Sequence, residues 1–239
     1  WGQKYNKEVI FVDAPISDEL GSLARYSGHA LVPRRSVFHA LNQKQQARQY
    51  ASSIHVPYES LRLIVAHMGG GVSVGAHDYG QVIDVNNALD GEGAMSPERV
   101  GYLSSMDVLK LLDKFNGDVS AVKKQLVGLG GMMSYTNTND VREVMALAQE
   151  DKKYLEIVEA MMYQVAKEIG AMATVLKGQV DQIILTGGLA HNEVLMEMLK
   201  QRVGFIAPVT VYPGENELDA LAFGALRYLN KEEVCQVYN

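Results

Sequence analysis

Leu61-Arg62-Leu63-Ile64-Val65-Ala66-His67-Met68-Gly69-Gly70-Gly71-Val72-Ser73-Val74-Gly75-Ala76-His77-Asp78-Tyr79-Gly80-Gln81-Val82-Ile83-Asp84 is the stretch that decides the fold. An apolar run over residues 61–66 closes on three glycines, a second run covers residues 72–76, and a turn at Asp78-Tyr79-Gly80 leads into a third over residues 81–85. Short runs of β-forming residues separated by tight turns predict three antiparallel strands in a meander.

Downstream, residues 180–185 read as a buried strand ending in Thr186-Gly187-Gly188, with a helix from His191-Asn192. Residues 209–211 form another strand ending in Pro213-Gly214, and residues 216–229 a closing helix. A meander followed by alternating strands and helices, in the order βββαβαβα, predicts an α/β domain with a mixed sheet, because hairpins are antiparallel and crossovers parallel. Between the two halves, residues 84–101 are small, acidic and turn-rich, as in an exposed functional loop. Short helices are expected over residues 106–115 and 119–127. After a glycine cluster at residues 128–131, Asp140 with Glu143 three positions on makes a capping-box-like helix start. A long helix over residues 153–176 carries Met161, Met162, Val165, Ile169 and Met172 on one face, a stripe that reads as plain core. Upstream of the meander, Val9-Ile10-Phe11-Val12 reads as a buried strand, residues 36–53 as a helix, and Pro57 as a break.

The 239 residues, 47% hydrophobic, suffice for a sizeable core, and the net charge of −6 argues against nucleic acid or a membrane surface as the main partner. The single cysteine, Cys235, excludes an internal disulfide and a cysteine-based metal cluster, which suits a reducing cytoplasm. No apolar run is long enough to span a bilayer. The chain is read as cytoplasmic.

Two turns carry the chemistry. In His67-Met68-Gly69-Gly70-Gly71-Val72-Ser73, three residues without Cβ permit positive φ angles and bring backbone N–H groups to an anion, with the Ser73 hydroxyl as a further donor. The alternative is a merely flexible hairpin turn. It is neither a P-loop nor a dinucleotide fingerprint, since no Lys-Ser/Thr follows and a strand rather than a helix comes next. Thr186-Gly187-Gly188 is a strand-to-helix turn at the carboxyl end of a parallel strand, where ligands of open α/β sheets collect. Glycines at such turns also serve close packing alone. Together the turns bracket a nucleotide.

Four segments, Ser36-Val37-Phe38-His39-Ala40-Leu41-Asn42-Gln43, Ala66-His67-Met68-Gly69-Gly70-Gly71, residues 83–91 with Ser96-Pro97-Glu98-Arg99, and Leu185-Thr186-Gly187-Gly188-Leu189-Ala190-His191, resemble the acetate and butyrate kinases of the sugar kinase and actin superfamily. The butyrate-type members are the most similar, and the likeness covers nearly the whole chain. It implies a ribonuclease H-like mixed sheet flanked by helices, with residues 1–57 as the remnant of a first domain of the same fold and residues 58–239 as the nucleotide-binding domain. It implies reversible phosphoryl transfer between ATP and butyrate, giving butyryl phosphate and ADP, with Mg2+.

The same resemblance assigns His39, Arg99 and Asp13 to catalysis, and His67, Gly69, Gly70, Gly71, Ser73, Asp140, Arg142, Gly187 and Gly188 to nucleotide and phosphate. Glu217 and Asp13 are assigned to the metal, and a homodimer or larger homo-oligomer is implied, with the long helix offering an apolar face. On local pattern alone, Arg99 is a solvated residue at a helix start, His39 and His67 are satisfied histidines, Asp140 is a cap, and Glu217 is an acid in a first helical turn. His29, His55 and His77 are read as surface or core.

The family's opening hairpin, Asn-Pro-Gly-Ser-Thr-Ser, does not occur in the sequence. The polypeptide alone is therefore expected to bind nucleotide weakly and not to transfer phosphate. The rival reading is a non-catalytic nucleotide-binding or regulatory module derived from such a kinase. Ala94-Met95 and Val100 depart from the family's usual Pro-Phe and Ser, which bears on acyl-chain preference.

Overall fold

The computed structural model describes residues 2–233; Trp1 and the lone Cys235 lie outside the described residues. Helices α1 (Gly2–Tyr5) and α2 (Ala40–Ser53) precede the meander of β1 (Arg62–Met68), β2 (Val72–Asp78) and β3 (Gln81–Val85). Four helices follow, α3 (Ser105–Lys114), α4 (Val119–Leu126), α5 (Met133–Thr136) and α6 (Val141–Leu147), then the long α7 (Lys152–Val175). The chain continues through β4 (Gln182–Gly187), a 3-10 turn over Gly188–His191, α8 (Glu193–Val203), β5 (Val209–Pro213) and α9 (Glu217–Leu229).

The sheet runs β3-β2-β1-β4-β5. β1 pairs antiparallel with β2, Met68 opposite Val72, so Gly69 to Gly71 are the turn between them. β1 and β4 pair parallel, His67 beside Thr186, which brings the two glycine turns to the same end of neighbouring strands. Tyr79 and Gly80, both at positive φ (50° and 91°), make the second hairpin turn, the conformation a type I′ turn requires.

Each strand of the centre is buried on both faces. Ile64, Ala66 and Met68 join Met161, Met162, Val165 and Ile169 of α7 in one core, and Leu63 and Val65 join Ala47, Ala51 and Tyr58 on the other side. That is why β1 reads as a continuous apolar run rather than an alternating one. The methionine stripe is core, as its spacing predicts. Its burial also means that the apolar face of α7, expected to serve oligomerisation, is consumed by the sheet and α8.

Other expectations are corrected. Residues 9–12 form no strand: Val9 and Phe11 are exposed, no ladder partner lies beside them among the described residues, and Val12 packs instead where Gly224 of α9 leaves room. The loop over residues 84–101 is exposed only around Leu89, Asp90 and Glu92, because Asn86, Ala94, Met95 and Ser96 fold under the glycine turn and against α7. Ala94 and Met95 thus belong to the core and line neither cleft described below. Helix α2 starts at Ala40, four residues late, and buries Asn42, Gln43, Lys44 and Gln46 beside Ala40, Ala47 and Ala51. The proposed boundary at residue 57 falls between α2 and β1, which share one packed cluster. No helix of the described residues is long and apolar enough to cross a membrane.

Candidate active site

Two clefts lie near the first glycine turn, one lined by His67 and the other by Glu215, side chains that touch at 3.3 Å. One, of about 600 Å³, is lined by Asp13, Phe38, His39, His67, Arg99 and Glu217. The other, of about 970 Å³, is lined by Gly69, Gly70, Asp140, Arg142, Gly188 and Glu215 among others. The predicted catalytic residues therefore border the first, and most of the predicted nucleotide residues the second. Gly71, Ser73 and Gly187 line neither.

The turn works differently from the expectation. None of Gly69, Gly70 and Gly71 adopts positive φ, and the Gly69 N–H donates to the Gly71 carbonyl at 2.9 Å within the turn. What the glycines supply is space. A Cβ on Gly71 would overlap the Arg99 guanidinium, and one on Gly70 would stand 3.1 Å from Glu98 Oε1. Ser73 is not a phosphate donor: it is fully buried, and its hydroxyl is taken by His39 Nδ1 and Gln43 Nε2, each at 2.8 Å. Gly187 is the residue that needs its glycine conformation, with φ at 89° and the Met68 backbone where a Cβ would be.

His39 ends the loop before α2, and its ring stacks on His67 with centroids 3.8 Å apart and planes 14° from parallel. Asn42 Nδ2 donates to the Gly214 and Glu215 carbonyls, which turns Oδ1 toward His67 and makes His67 Nδ1 the donor in their 2.8 Å bond. His67 Nε2 then faces Glu215 Oε1 at 3.3 Å, and this contact holds the Glu215 carboxyl below its usual range. Burial first, then the charges of His67 and Arg99, pushes His39 down to about 3. Arg99 donates from Nη1 to the Ala88 carbonyl at 2.6 Å, while its buried Nε has no partner among the described residues. An unsatisfied buried N–H costs about 1–3 kcal/mol. Such defects are tolerated where a ligand completes the site.

Asp13 lines the first cleft, but its carboxylate is ion-paired with Arg48 at 3.2 Å and lies 3.8 Å from Lys44, so its negative charge is already compensated. It shares that cleft with Glu217, the other carboxylate assigned to the metal. Among the described residues no three His, Cys, Asp or Glu side chains are grouped to hold an ion. Glu217 lies in the first turn of α9 and lines the first cleft. The donor set suits only a divalent cation carried in on a ligand's phosphates, which needs one or two protein carboxylates.

In the second cleft, Asp140 caps α6 through the Arg142 N–H, and both its oxygens accept from the Arg142 guanidinium at 3.0 and 2.6 Å. That pairing pushes its carboxyl down to about 2. Arg142 is thus tethered at the rim, not free. Residues missed by the sequence reading are Asn42, Glu98, Asn139 and Glu215. Glu215 had a signal: it follows Pro213-Gly214 at the carboxyl end of β5, beside Gly187 of β4, where ligands of α/β sheets bind.

The buried histidines predict a pH dependence. His77, fully buried, is likewise pushed down to about 3, chiefly by desolvation. Both bases have folded values below the ordinary 6.5, so between about 6.5 and 3 the unfolded chain binds the extra protons. Their contribution to stability is complete above 6.5 and is lost as pH falls toward 3, with a slope of up to about 1.4 kcal/mol per pH unit for each histidine. Urea unfolding at pH 7, 6 and 5 should show this fall, and His77→Gln should lessen the slope. A pH-independent midpoint would contradict the assignment of neutral, buried rings.

The sequence profile of the Acetokinase family matches residues 17–208. The chain is 50% identical over 238 residues to a probable butyrate kinase of Clostridium botulinum strain Alaska E43, covering 99% of this chain and 67% of that protein. It is 51% identical over 237 residues to butyrate kinase 1 of Clostridium acetobutylicum, again 99% of this chain and 67% of the relative. Among solved structures, Porphyromonas gingivalis acetate kinase superposes with a TM-score of 0.80 at 18% identity, over 90% of this chain and 62% of that one. A Francisella tularensis propionate kinase gives 0.73 at 20% identity, over 84% and 59%. The chain thus spans about two thirds of the length of these proteins.

Proposed function

Because the chain belongs to the acetokinase family, we propose that it serves a short-chain carboxylate kinase of the butyrate type, transferring phosphate reversibly between ATP and butyrate. The observation that carries this reading is the placing of His39, His67 and Arg99 on one cleft next to a second cleft lined by Gly69 and Gly70, with Arg99 packed on Gly71 and His67 on Glu215 between them. In this reading the nucleotide lies along the second cleft, with its phosphates at the glycine turn and its nucleoside toward Asn139 and Arg142. The carboxylate enters the first, between the apolar side chains of Val12, Phe38, Leu41, Leu89 and Leu221.

The transferred phosphoryl gathers charge on its equatorial oxygens, and catalysis is positioning plus fixed donors and cations. Arg99, held flat over Gly71, supplies the fixed positive charge there. His39, neutral at physiological pH, supplies a hydrogen bond, and the apolar walls keep water from competing as acceptor. A divalent cation bound to the phosphates would neutralise ground-state charge, with Glu217 and Asp13 of the first cleft as candidate carboxylates.

The test is phosphoryl transfer by the full-length gene product with ATP, Mg2+ and straight-chain carboxylates from acetate to hexanoate, trapping acyl phosphate with hydroxylamine. Butyrate-dependent ADP formation is expected. Preference over acetate should be about tenfold or more for each added methylene. ATP turnover indifferent to carboxylate would overturn the assignment, and saturable nucleotide binding without transfer would identify a binding module instead.

A further inference from the structure

A line of buried polar groups leads from the interior to His39, and each link has its donor and acceptor fixed by an unambiguous neighbour. Gln43 Nε2 lies 3.1 Å from the Ser73 backbone carbonyl, an acceptor only, so the amide nitrogen points there and Oε1 points to His77 Nε2 at 3.0 Å. His77 Nε2 must then carry the proton. Its Nδ1 accepts from the Tyr58 hydroxyl at 2.7 Å, a phenol whose proton burial holds firmly. At the other end, Ser73 Oγ accepts from Gln43 Nε2 at 2.8 Å and from the His39 backbone N–H at 3.5 Å. Both lone pairs are committed, and the hydroxyl proton has one acceptor left, His39 Nδ1 at 2.8 Å.

We propose that Tyr58, His77, Gln43 and Ser73 form a positioning relay that fixes His39 as its Nε2–H tautomer, so that the ring offers a neutral N–H donor to the cleft. The consequence for catalysis rests on the carboxylate-kinase reading: an Nε2 lone pair would repel a phosphoryl oxygen, whereas Nε2–H donates to it. Gly75 of β2 belongs to the device, since a Cβ there would stand 2.5 Å from Gln43 Oε1. His77, which local pattern reads as surface or core, acquires a role through Gln43. It never touches the ligand itself.

Long-range proton–nitrogen correlation on the ligand-free protein labelled with [15N]histidine tests the relay without reference to activity. At pH 7, His39 and His77 should each show a protonated Nε2 and an unprotonated Nδ1, the His39 signals being identified by their loss in His39→Asn. Protonation of Nδ1 in wild-type His39 or His77 overturns the proposal, whatever any variant does. In Gln43→Met, which keeps the side chain's length but cannot donate, the two His39 nitrogen shifts should move toward each other as the tautomers mix. Unmixed Nε2–H in a folded Gln43→Met protein also overturns it. In the full-length enzyme the same variant should lower kcat about 10- to 100-fold with little change in KM for ATP. Absence of any transfer by the wild type, with the wild-type tautomers as stated, would refute the kinase reading and leave the relay standing.

Discussion

In the full-length gene product, replacing Arg99 with alanine is expected to lower turnover about 100- to 1000-fold, the loss typical of removing one fixed donor from a site of developing charge. Nucleotide affinity should change little, because Arg99 lines the first cleft and not the second. The guanidinium is held by the bare backbone of Gly71 and the Ala88 carbonyl, and the Arg99 backbone by the Ser96 hydroxyl, which accepts from its N–H at 3.1 Å. Gly71→Ala should therefore imitate Arg99→Ala. Gly71 is not at positive φ, so alanine costs little backbone strain there, but its methyl takes the space of the guanidinium. Steady-state kinetics beside a nucleotide titration separates the effects. Equal losses in turnover and affinity would refute the role given to Arg99, and a fully active Gly71→Ala enzyme would show that its placement over the turn is irrelevant.

Gly187→Ala is expected to destabilise the fold by about 3 kcal/mol or more, or to prevent folding, since two named mechanisms act together. With φ at 89° and ψ at −179°, residue 187 occupies a region that is essentially glycine-only, at a cost of about 1–3 kcal/mol for other residues. In addition, the methyl would meet the Met68 N, C and O atoms at 2.5 to 2.8 Å, backbone that cannot move without parting β1 from β4. Gly188→Ala, where nothing lies within 4 Å of the added atom, is the matched control and should be near neutral. Thermal or urea unfolding of the pair reads the difference. Equal midpoints would mean that the strand ends are not packed as described.

The central sheet was legible because its physics is local. Turn glycines and β-branched runs fix the meander, and burial on both faces by α7 and α2 leaves β1 without a polar alternation to misread. The false strand at residues 9–12 shows the limit of that logic, since β-propensity without a ladder partner gives only extended chain. Helix α2 was misread for the opposite reason. It buries amides and a lysine, and a 3.6-residue count of apolar positions has no means of seeing Gln43 in the core.

Within the candidate site, residues that act by their backbone position were legible and residues that act by partner were not. The glycine turns stand out in any sequence, and Arg99 and His39 came from family resemblance. The commitment of Ser73 to His39, and of Asp13 to Arg48 and Lys44, depends on groups far away in the chain, so neither could be foreseen from spacing. Glu215 lay in reach of the strand-end rule.

The central claim is that the turn at residues 69–71 lies between a nucleotide cleft and a substrate cleft. Its most direct measurement is the footprint of ADP on the backbone amides, read as proton–nitrogen shift changes on titrating the nucleotide into the labelled protein. The account predicts that the largest changes fall on Gly69, Gly70 and Gly188 and extend to Asn139 and Arg142, with Phe38 and Leu89 little affected. Changes centred on Phe38, Leu89 and Leu221, with the glycine turn silent, would contradict it.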